Sequence, residues 1–599
     1  MLTRNRIWVV IALGVIASLL LSACGAPAPQ VVEKRVVETV VVVVTPTPVP
    51  GEEKVTLDTV FGTEPPSMDP ALATDSTSIG CIRQMFMGLT GFDEKAAVIP
   101  ALATEWSASA DGLVWTYKLR NDGRWIHRNP VNGEFEDVGP VTAFDVEYGA
   151  KRTLDPNSAS DYAFVLYILK GGEEFNTADP KAENFEELRS GVGVTAVDTY
   201  TVQFTLKEPA GYFPSITGMW VTFPMPQAVI EELGDQWTEA GLIVTNGPYT
   251  LEEWSHGAYV RMVKNPLWVG AKDVQIEVIQ GPIIMSESTA MAMYEANEID
   301  MMADPGWGPP LPDMDRIKGD PTLSKELFIA PRLCTYYYGF VTTKPPFDKP
   351  LVRRAFAAAI DRQSLIDNVT KGNQVPAHSF VCPGIFGNIA DDKSIGGWMV
   401  MDDYAAQLKQ AQQWLAEAGY PEGQGLNVVL MHNVSEALGQ VAQAIQAMWK
   451  EAFPKANITI ETQEWAVYLK TLLPGSPDQD KPNIFRMGWC ADYPDANNWL
   501  NEVLNSKSSQ NYVKFFNPEF DKLVEGAANE SDPAKRQEMY KQAEKILIED
   551  ETAIAPIYYY TYVRLYKPWI TKKVISPVTG DPFAQWRLDW AAKKAALGQ

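Results

Sequence analysis

Histidine and cysteine are scarce in this chain. Only 4 of its 599 residues are His and 5 are Cys, and the histidines are far apart in the sequence: His127, His256, His378 and His432. Zinc sites need such side chains at short, characteristic spacings, so we predict no metal site and no cofactor. A Gly-rich phosphate loop and a Gly-x-Ser-x-Gly turn are also missing. These absences argue against a nucleotide-dependent enzyme and against a serine hydrolase.

Positive charge is scarce as well. The chain has 51 Lys and Arg against 75 Asp and Glu, a formal net charge of -24. Nucleic-acid binding needs basic patches that neutralise phosphates, so we expect no nucleic-acid partner. After the first residues, no apolar run approaches the roughly 20 residues that span a bilayer, which places the globular part outside the membrane. In so acidic a chain, nearby carboxylates such as Asp492 and Asp495 do not by themselves indicate a hydrolase.

The N-terminus has the features of an export signal. Arg4 and Arg6 precede an apolar run from Ile7 to Leu21 that is short for a membrane-spanning helix. The residues that end this run match a lipobox, Leu21-Ser22-Ala23-Cys24, in which the Cys is acylated and becomes the new N-terminus. We predict a signal peptide over 1–23 and a lipid on Cys24 that anchors the protein to the cell membrane on its extracytoplasmic side. An uncleaved membrane anchor is the alternative.

A tether follows over residues 24–53. It combines a valine-rich run with the proline-rich stretch Thr45-Pro46-Thr47-Pro48-Val49-Pro50. Prolines favour an extended chain that acts as a spacer. The valine run could add a strand or aggregate, and the sequence does not decide between these.

The remaining residues alternate between strand and helix patterns. The chain is too long for one core, and its length suggests roughly three or four domains. Strand-like segments at Val428–Met431 and Ile458–Ile460 bracket a helical pattern at Glu436–Phe453, an order that favours a parallel sheet covered by helices. Asp111-Gly112, flanked by Trp and Tyr at alternate positions, predicts a hairpin. A helix from Tyr404 should end at Gly419.

The stretch from Phe485 to Leu500 is the strongest candidate for a ligand site. It begins like a buried strand, turns at Asp492 to Asp495, and resumes with apolar residues at helical spacing. An Arg and carboxylates beside aromatic residues suit a cleft that holds both ends of a zwitterion. The alternative is an ordinary turn in which Asp caps the next helix; Asp495 lies further into the turn and suits that role better.

Several phrases resemble the extracellular solute-binding proteins of family 5, most closely the oligopeptide-binding proteins of bacterial ABC importers. The phrases span nearly the whole chain after the tether: Asp111-Gly112-Leu113-Val114-Trp115, Val244-Thr245-Asn246-Gly247-Pro248-Tyr249, Leu333-Cys334-Thr335-Tyr336-Tyr337-Tyr338, Arg486-Met487-Gly488-Trp489-Cys490-Ala491-Asp492-Tyr493 and Ile557-Tyr558-Tyr559-Tyr560. The resemblance implies an α/β, two-lobed, class II periplasmic-binding-protein-like fold with a ligand cleft between the lobes and a small appended domain.

The resemblance also implies the domain boundaries. Lobe I should comprise 54–89, 196–333 and 562–599, the appended domain 90–195, and lobe III 334–561.

Site residues are implied in the same way. Asp492 would pair with the ligand's α-ammonium group, and Arg486 would face the carboxylate end or a ligand side chain. The other expected ligand-binding residues are Gly488, Trp489, Tyr162, Asn246, Ser76 and Tyr559. For Tyr162 a core position is the alternative, for Asn246 a plain turn, and for Ser76 a place in a helix cap.

The family resemblance pairs Cys334 with Cys490 in a disulfide. It offers no partner for Cys81 or Cys382, which are left to pair with each other by default.

The implied function is capture of an oligopeptide and its delivery to an ABC permease with its ATPase subunits, by a monomeric lipoprotein that is not an enzyme. One alternative keeps the fold and changes the solute to an oligosaccharide, a dipeptide or a nickel chelate. The other is an exported hydrolase.

Cys24→Ala should remove the lipid-acceptor side chain. We expect the variant to be released into the soluble fraction or to accumulate as an unprocessed precursor, measured by fractionation and intact mass. Processing and membrane retention identical to those of the wild type would contradict the lipobox assignment.

Overall fold

The computed structural model describes residues 53–578 and 580–599. The predicted signal peptide, Cys24 and nearly all of the predicted tether lie outside these residues. Residues 54–599 form a single structural unit. Within the described ranges, no helix is both long and apolar enough to cross a membrane.

The strands are short apart from two that cross the molecule. They are β1 (Thr56–Asp58), β2 (Thr90–Phe92), β3 (Val98–Pro100), β4 (Ala103–Ala108), β5 (Val114–Leu119), β6 (Arg124–Arg128), β7 (Phe135–Pro140), β8 (Val194–Asp198), β9 (Thr201–Thr205), β10 (Val244–Thr245), β11 (Tyr249–Ser255), β12 (Tyr259–Lys264), β13 (Val278–Pro282), β14 (Met301–Met302), β15 (Leu327–Phe340), β16 (Val375–Pro376), β17 (Asn427–Asn433), β18 (Asn457–Gln463), β19 (Ile484–Cys490), β20 (Ile554–Tyr566), β21 (Ile570–Lys572) and β22 (Arg587–Leu588).

The α-helices alternate with these strands along the chain. They are α1 (Ser76–Met85), α2 (Ala143–Leu154), α3 (Gly172–Asn176), α4 (Phe185–Gly191), α5 (Phe213–Ile216), α6 (Gln227–Leu233), α7 (Glu287–Glu295), α8 (Met314–Gly319), α9 (Leu323–Glu326), α10 (Pro350–Ala358), α11 (Arg362–Leu365), α12 (Tyr404–Glu417), α13 (Glu436–Ala452), α14 (Trp465–Leu472), α15 (Asn497–Leu504), α16 (Pro518–Asn529), α17 (Pro533–Glu544) and α18 (Trp590–Ala596).

The largest sheet has the order β14-β20-β15-β19-β17-β18, with β16 also paired to β20. Its centre is antiparallel, since β15 pairs with β19 on one side and with β20 on the other. β17 runs parallel to both β18 and β19, with α13 connecting β17 to β18. The predicted β-α-β unit is therefore confirmed. Apolar residues of the large sheet, such as Leu430 on β17 and Ile484 on β19, are fully buried because helices cover the sheet.

Three smaller sheets of three or four strands accompany the large sheet, besides the two-stranded pairs β2-β3 and β21-β22. The first has the order β1-β13-β12-β11, the second β4-β5-β9-β8 and the third β10-β6-β7. The hairpin predicted at Asp111-Gly112 joins β4 to β5, and Gly112 takes a φ of 73°, a conformation that most other residues avoid. The helix from Tyr404 ends at Glu417, and Gly419 follows with a φ of 96°, as predicted.

The sheets can be compared with the boundaries expected from the resemblance. The sheet β4-β5-β9-β8 continues to Thr205 and therefore passes the expected end of the appended domain at 195, because β9 pairs with both β5 and β8. The expected boundaries at 333 and 561 fall inside the paired strands β15 and β20. The pairing of these strands is irregular there, with a register shift between Pro331 and Thr335.

Two cysteines are bonded and two are free in the described part of the chain. Cys334 and Cys490 lie directly opposite each other in the β15–β19 register and form a disulfide, the pairing that the resemblance implies. Cys81 on α1 and Cys382 are buried free thiols. Their default pairing is therefore wrong, because each packs into the core on its own element.

Proteolysis without reduction should recover a fragment linked through Cys334 and Cys490. The bridge closes a loop of 156 residues, for which the chain-entropy model gives about 5 kcal/mol of stability. The double variant Cys334→Ser/Cys490→Ser should accordingly unfold at a lower denaturant concentration. Recovery of both residues as free thiols from exported protein would contradict this prediction.

Candidate functional site

A cavity of about 510 Å³ lies between the first sheet and the large sheet. Its wall combines most of α1, the ends of β17 and β19, β20 residues between Tyr558 and Arg564, and parts of the loop segments 303–309 and 577–583. This volume is in the range of sites for small molecules and short peptides.

Parallel strands bring the polar residues of this wall together. Because β17 and β19 run parallel, their carboxyl ends meet at the same edge of the sheet, where α/β proteins bind ligands. Asn433 ends β17, and Asp492 follows the end of β19. Gly488 lies on β19 close to Tyr560, and a Cβ there would be 3.0 Å from the Tyr560 hydroxyl, so a side chain would require that ring to shift.

Arg486 is held by tyrosines and has no carboxylate partner in the described part of the chain. Its Nη2 donates to the Tyr560 hydroxyl at 2.7 Å, and its Nη1 lies 3.4 Å from Asn433 Oδ1. The guanidinium carbon is 5.0 Å from the ring centre of Tyr336. Nε is buried without a hydrogen-bond partner. A permanently charged group is thus exposed to the cavity with most of its donors weakly used.

Asp492 is a buried carboxylate without an ion-pair partner among the described residues. Its backbone N–H donates to Asn498 Oδ1 at 2.9 Å, and Asn498 Nδ2 donates to Asp492 Oδ2 at 3.0 Å. Burial raises the pKa of Asp492 to about 6, although the Asn498 hydrogen bond and the charge of Arg83 act in the opposite direction. The carboxylate is therefore poised to gain from a cation.

Asp495 differs from Asp492 in having partners for both oxygens. Arg536 contacts it through two nitrogens, at 2.6 and 2.8 Å, and the backbone N–H of Asn497 donates to it at 2.9 Å at the start of α15. It therefore has the capping role that the sequence suggested, and it does not line the cavity.

A second buried acid lies behind Asp492. Asn498 Nδ2 also donates to Glu502 Oε2 at 2.7 Å, and the Tyr493 hydroxyl donates to Glu502 Oε1 at 2.6 Å. Burial raises the pKa of Glu502 to about 8, and the negative charges of Asp492 and Asp495 act in the same direction. Asn498 is thus the link between the cavity carboxylate and a carboxyl that holds its proton near neutral pH.

Three more expected residues line the cavity. Tyr162 is buried and stacks on Trp489, with ring centres 6.3 Å apart and planes 8° apart. Ser76 is the first residue of α1 and is exposed at the wall. The next two amides of this helix donate to the Asp75 side chain, so the backbone N–H groups at this helix start are already used within the protein.

The structure places the remaining two expected residues elsewhere. Tyr559 lies outside the cavity wall, and its hydroxyl is hydrogen-bonded to Ser379 at 2.6 Å. Strand residues alternate between faces, so its neighbours Tyr558 and Tyr560 line the cavity in its place. Asn246 is buried outside the wall, where its side chain accepts from the Met87 N–H and donates to the Met87 carbonyl. Neither residue lines this cavity, and their assignment as ligand-binding residues stays a prediction.

Sequence reasoning missed several residues of the wall. Tyr558 and Tyr560 were present in the Tyr triplet, and the strand period leaves two choices of face that the sequence did not resolve. Asn433 could have been found from its place at the carboxyl end of a predicted parallel strand. Asn498 has no such signal, because its role depends on how the turn folds back. In the described part of the chain, no group of three or more His, Cys, Asp and Glu side chains could hold a metal.

The comparisons with known proteins agree with this geometry. The model of the bacterial extracellular solute-binding proteins, family 5 (middle), matches residues 97–511. The chain belongs to this family. OppA, the periplasmic oligopeptide-binding protein of Escherichia coli, is 33% identical to it over 521 residues, covering 86% of this chain and 89% of OppA.

Solved structures of family 5 members confirm the predicted two-lobed fold. Haemophilus influenzae OppA in complex with the peptide RPPGFSPFR has a TM-score of 0.77 at 28% identity, covering 90% of this chain and 99% of that one. The murein tripeptide-binding protein MppA of Escherichia coli also gives 0.77 at 28% identity, with the same coverages. MppA in its unliganded open form gives 0.60 at 29% identity, covering 90% and 98%. This structure is therefore less similar to that open form than to the other two structures.

Glu502→Gln should change how stability depends on pH. Because its pKa is raised, Glu502 keeps its proton in the folded protein at pH values where the unfolded chain has lost it. The free energy of unfolding of the wild type should therefore fall as pH rises from about 5 to 8. We compare the free energy of unfolding of the variant with that of the wild type at each pH. This difference should favour the variant more at pH 8 than at pH 5, by on the order of 3 kcal/mol. Denaturant unfolding at both pH values measures this difference. Glu519→Gln is the control, because Glu519 is exposed. Parallel pH profiles of stability for the wild type and Glu502→Gln would contradict a raised pKa at Glu502.

Proposed function

We propose that this chain is the extracytoplasmic substrate-binding lipoprotein of an ABC importer, which captures oligopeptides and delivers them to the permease and its ATPase subunits. One observation carries the proposal. A single cavity contains a buried carboxylate, Asp492, and a guanidinium, Arg486, at separate positions on its wall, and neither forms an ion pair with a residue that the structure describes. A peptide is a ligand with opposite charges at its two ends.

The unpaired charges favour a charged ligand for a physical reason. Burial of Asp492 costs free energy because it removes water, and the charge of Arg83 offsets only part of that cost. A peptide ammonium at Asp492 would offset that cost and lower the raised pKa of the carboxyl. Arg486 lies among tyrosines and has no carboxylate partner among the described residues. Arg486 could turn its weakly used donors toward the peptide carboxylate or an acidic side chain, with the bidentate geometry that guanidinium groups favour.

Uncharged parts of the wall would hold the middle of the peptide. The ring of Tyr560 lies against Gly488, and strand-like pairing with backbone groups beside it would bind an extended peptide without regard to its sequence. The stacked rings of Tyr162 and Trp489, with Ser76 on the opposite wall, would contact its side chains. Asn246 and Tyr559 would act indirectly. Asn246 holds the backbone of Met87, and Tyr559 holds the loop at Ser379.

Binding would be coupled to the relative motion of the two lobes. We place lobe I at 54–89, 206–333 and 562–599, lobe III at 334–561, and the appended domain at 90–205, extended to include β9. The irregular pairing of β15 and β20 near Pro331 is the proposed hinge. A ligand that contacts both lobes binds the closed state better and shifts the population toward it. The Cys24 lipid would keep the monomeric protein at the membrane beside its permease.

Asp492→Asn should weaken peptide binding by about 2–5 kcal/mol, as for other broken buried charge pairs, because the amide keeps the shape but cannot pair with an ammonium. N-acetylating the peptide should weaken binding to the wild type by a similar amount and add little further loss in the variant. Calorimetric titration with a tripeptide such as trialanine measures both effects. Wild-type affinity should also fall as pH drops below about 6, where Asp492 gains its proton, and Asp492→Asn should lack this dependence.

Glu519→Gln is the matched control, since it removes one negative charge from an exposed helix start. Equal binding of acetylated and free peptides by the wild type would show that Asp492 is not the ammonium anchor. Cleavage of the peptides on incubation would point to the hydrolase alternative instead.

A further inference from the structure

Two helix N-termini meet across the cleft, outside the contacts assigned to the ligand. Helix α7 follows β13 of the first sheet and begins with Glu287, after the cap residue Ser286. Helix α13 follows β17 of the large sheet and begins with Glu436, after the cap residue Ser435. Each Ser caps its own helix, accepting from the N–H of Thr289 or of Leu438.

Each helix also gives its first carboxylate to the other helix. Glu287 accepts from the Ser435 hydroxyl at 2.6 Å and from the backbone N–H groups of Glu436 at 2.8 Å and Ala437 at 3.3 Å. Glu436 accepts from the hydroxyls of Ser286 at 2.6 Å and Ser288 at 2.5 Å. The exchange is reciprocal, and it joins residues about 150 positions apart in the chain.

The arrangement places each negative charge where a helix favours it. The N-terminus of a helix has unpaired N–H groups and a partial positive charge, and hydrogen bonds to ionised acceptors are stronger than neutral ones. Glu287 is only 2% exposed, so in this conformation its hydrogen bonds come from protein and not from water. Separation of the two sheets would break all five hydrogen bonds together.

We propose that these residues form a clasp, in which Glu287 and Glu436 each bind the other's helix N-terminus and stabilise the closed conformation of the two lobes. Glu287, Ser435 and Ala437 line the cavity, whereas Glu436 does not. Glu436 is therefore a positioning residue: it holds the lobes together without touching the solute. The clasp acts on the motion of the lobes, whichever solute the cavity binds.

The thiol of Cys81 can serve as a probe for separation of the two lobes. Cys81 lines the cavity and is 1% exposed, whereas Cys382 is 0% exposed and lies away from the cavity. The other two described cysteines are bonded to each other. Opening the lobes should expose Cys81 and leave Cys382 covered.

The test measures alkylation of Cys81 by N-ethylmaleimide in the full ligand-free chain, by peptide mass mapping. Glu436→Ala should speed labelling of Cys81 by about tenfold, equivalent to 1.4 kcal/mol at 25 °C, and leave Cys382 unchanged. Glu436→Gln keeps one acceptor oxygen and should give an intermediate rate. Glu519→Ala removes a charge at another helix start with no contact between the sheets, so it should label like the wild type.

Equal labelling rates at Cys81 in wild type and Glu436→Ala would overturn the clasp. If Glu436→Ala also exposes Cys382, the fold has loosened, and Ser288→Ala decides instead. That variant removes a single hydroxyl from an exposed position and should speed Cys81 labelling by about threefold; no change would overturn the proposal. No ligand enters this assay, so failure of peptides to bind would count against the proposed function and leave the result on the clasp intact.

Discussion

The antiparallel pairing of β15 with both β19 and β20 is the interaction on which the cavity depends. It brings Arg486 and Gly488 on β19 close to the tyrosines of β20, two segments far apart in the chain. The disulfide at the end of the β15–β19 pair fixes the strand where it leaves the sheet. The turn that carries Asp492 starts from this fixed point, so the position of the carboxylate is set by backbone pairing and not by a flexible loop.

The chemistry of the cavity depends on the different hydrogen-bond partners of two similar carboxylates. Asp492 and Asp495 are three residues apart and both are buried. Asp495 accepts two hydrogen bonds from the Arg536 guanidinium, whereas the side chain of Asp492 accepts from the amide of Asn498. Burial with a charge partner satisfies a carboxylate, and burial without one leaves it ready for a ligand. Asn498 makes this contrast possible, since it supports Asp492 through neutral hydrogen bonds, and the charge of Arg83 offsets only part of the effect of burial.

Much of the fold could be predicted because its signals are local or repeat along the chain. The β-α-β unit around α13, the Asp-Gly hairpin and the end of α12 at Gly419 are set by periodicity and turn chemistry. The site was only partly predictable. The β19 phrase predicted Asp492 and Arg486, which line the cavity. Tyr559 was predicted whereas Tyr558 and Tyr560 line the cavity, because a strand's period does not say which face is inward. Asn246 and the free thiols of Cys81 and Cys382 depend on tertiary packing between distant segments, which no local pattern encodes.

Gly488 has a consequence for how such a cavity can change during evolution. A Cβ at this position would lie 3.0 Å from the hydroxyl of Tyr560, which is also the hydrogen-bond acceptor of Arg486. Three positions on two strands are therefore coupled. The loop at 303–309 is coupled in a similar way, because Asp304 pairs with both Arg332 and Arg564. A change in the shape of this wall should therefore need several coordinated substitutions and not a single one.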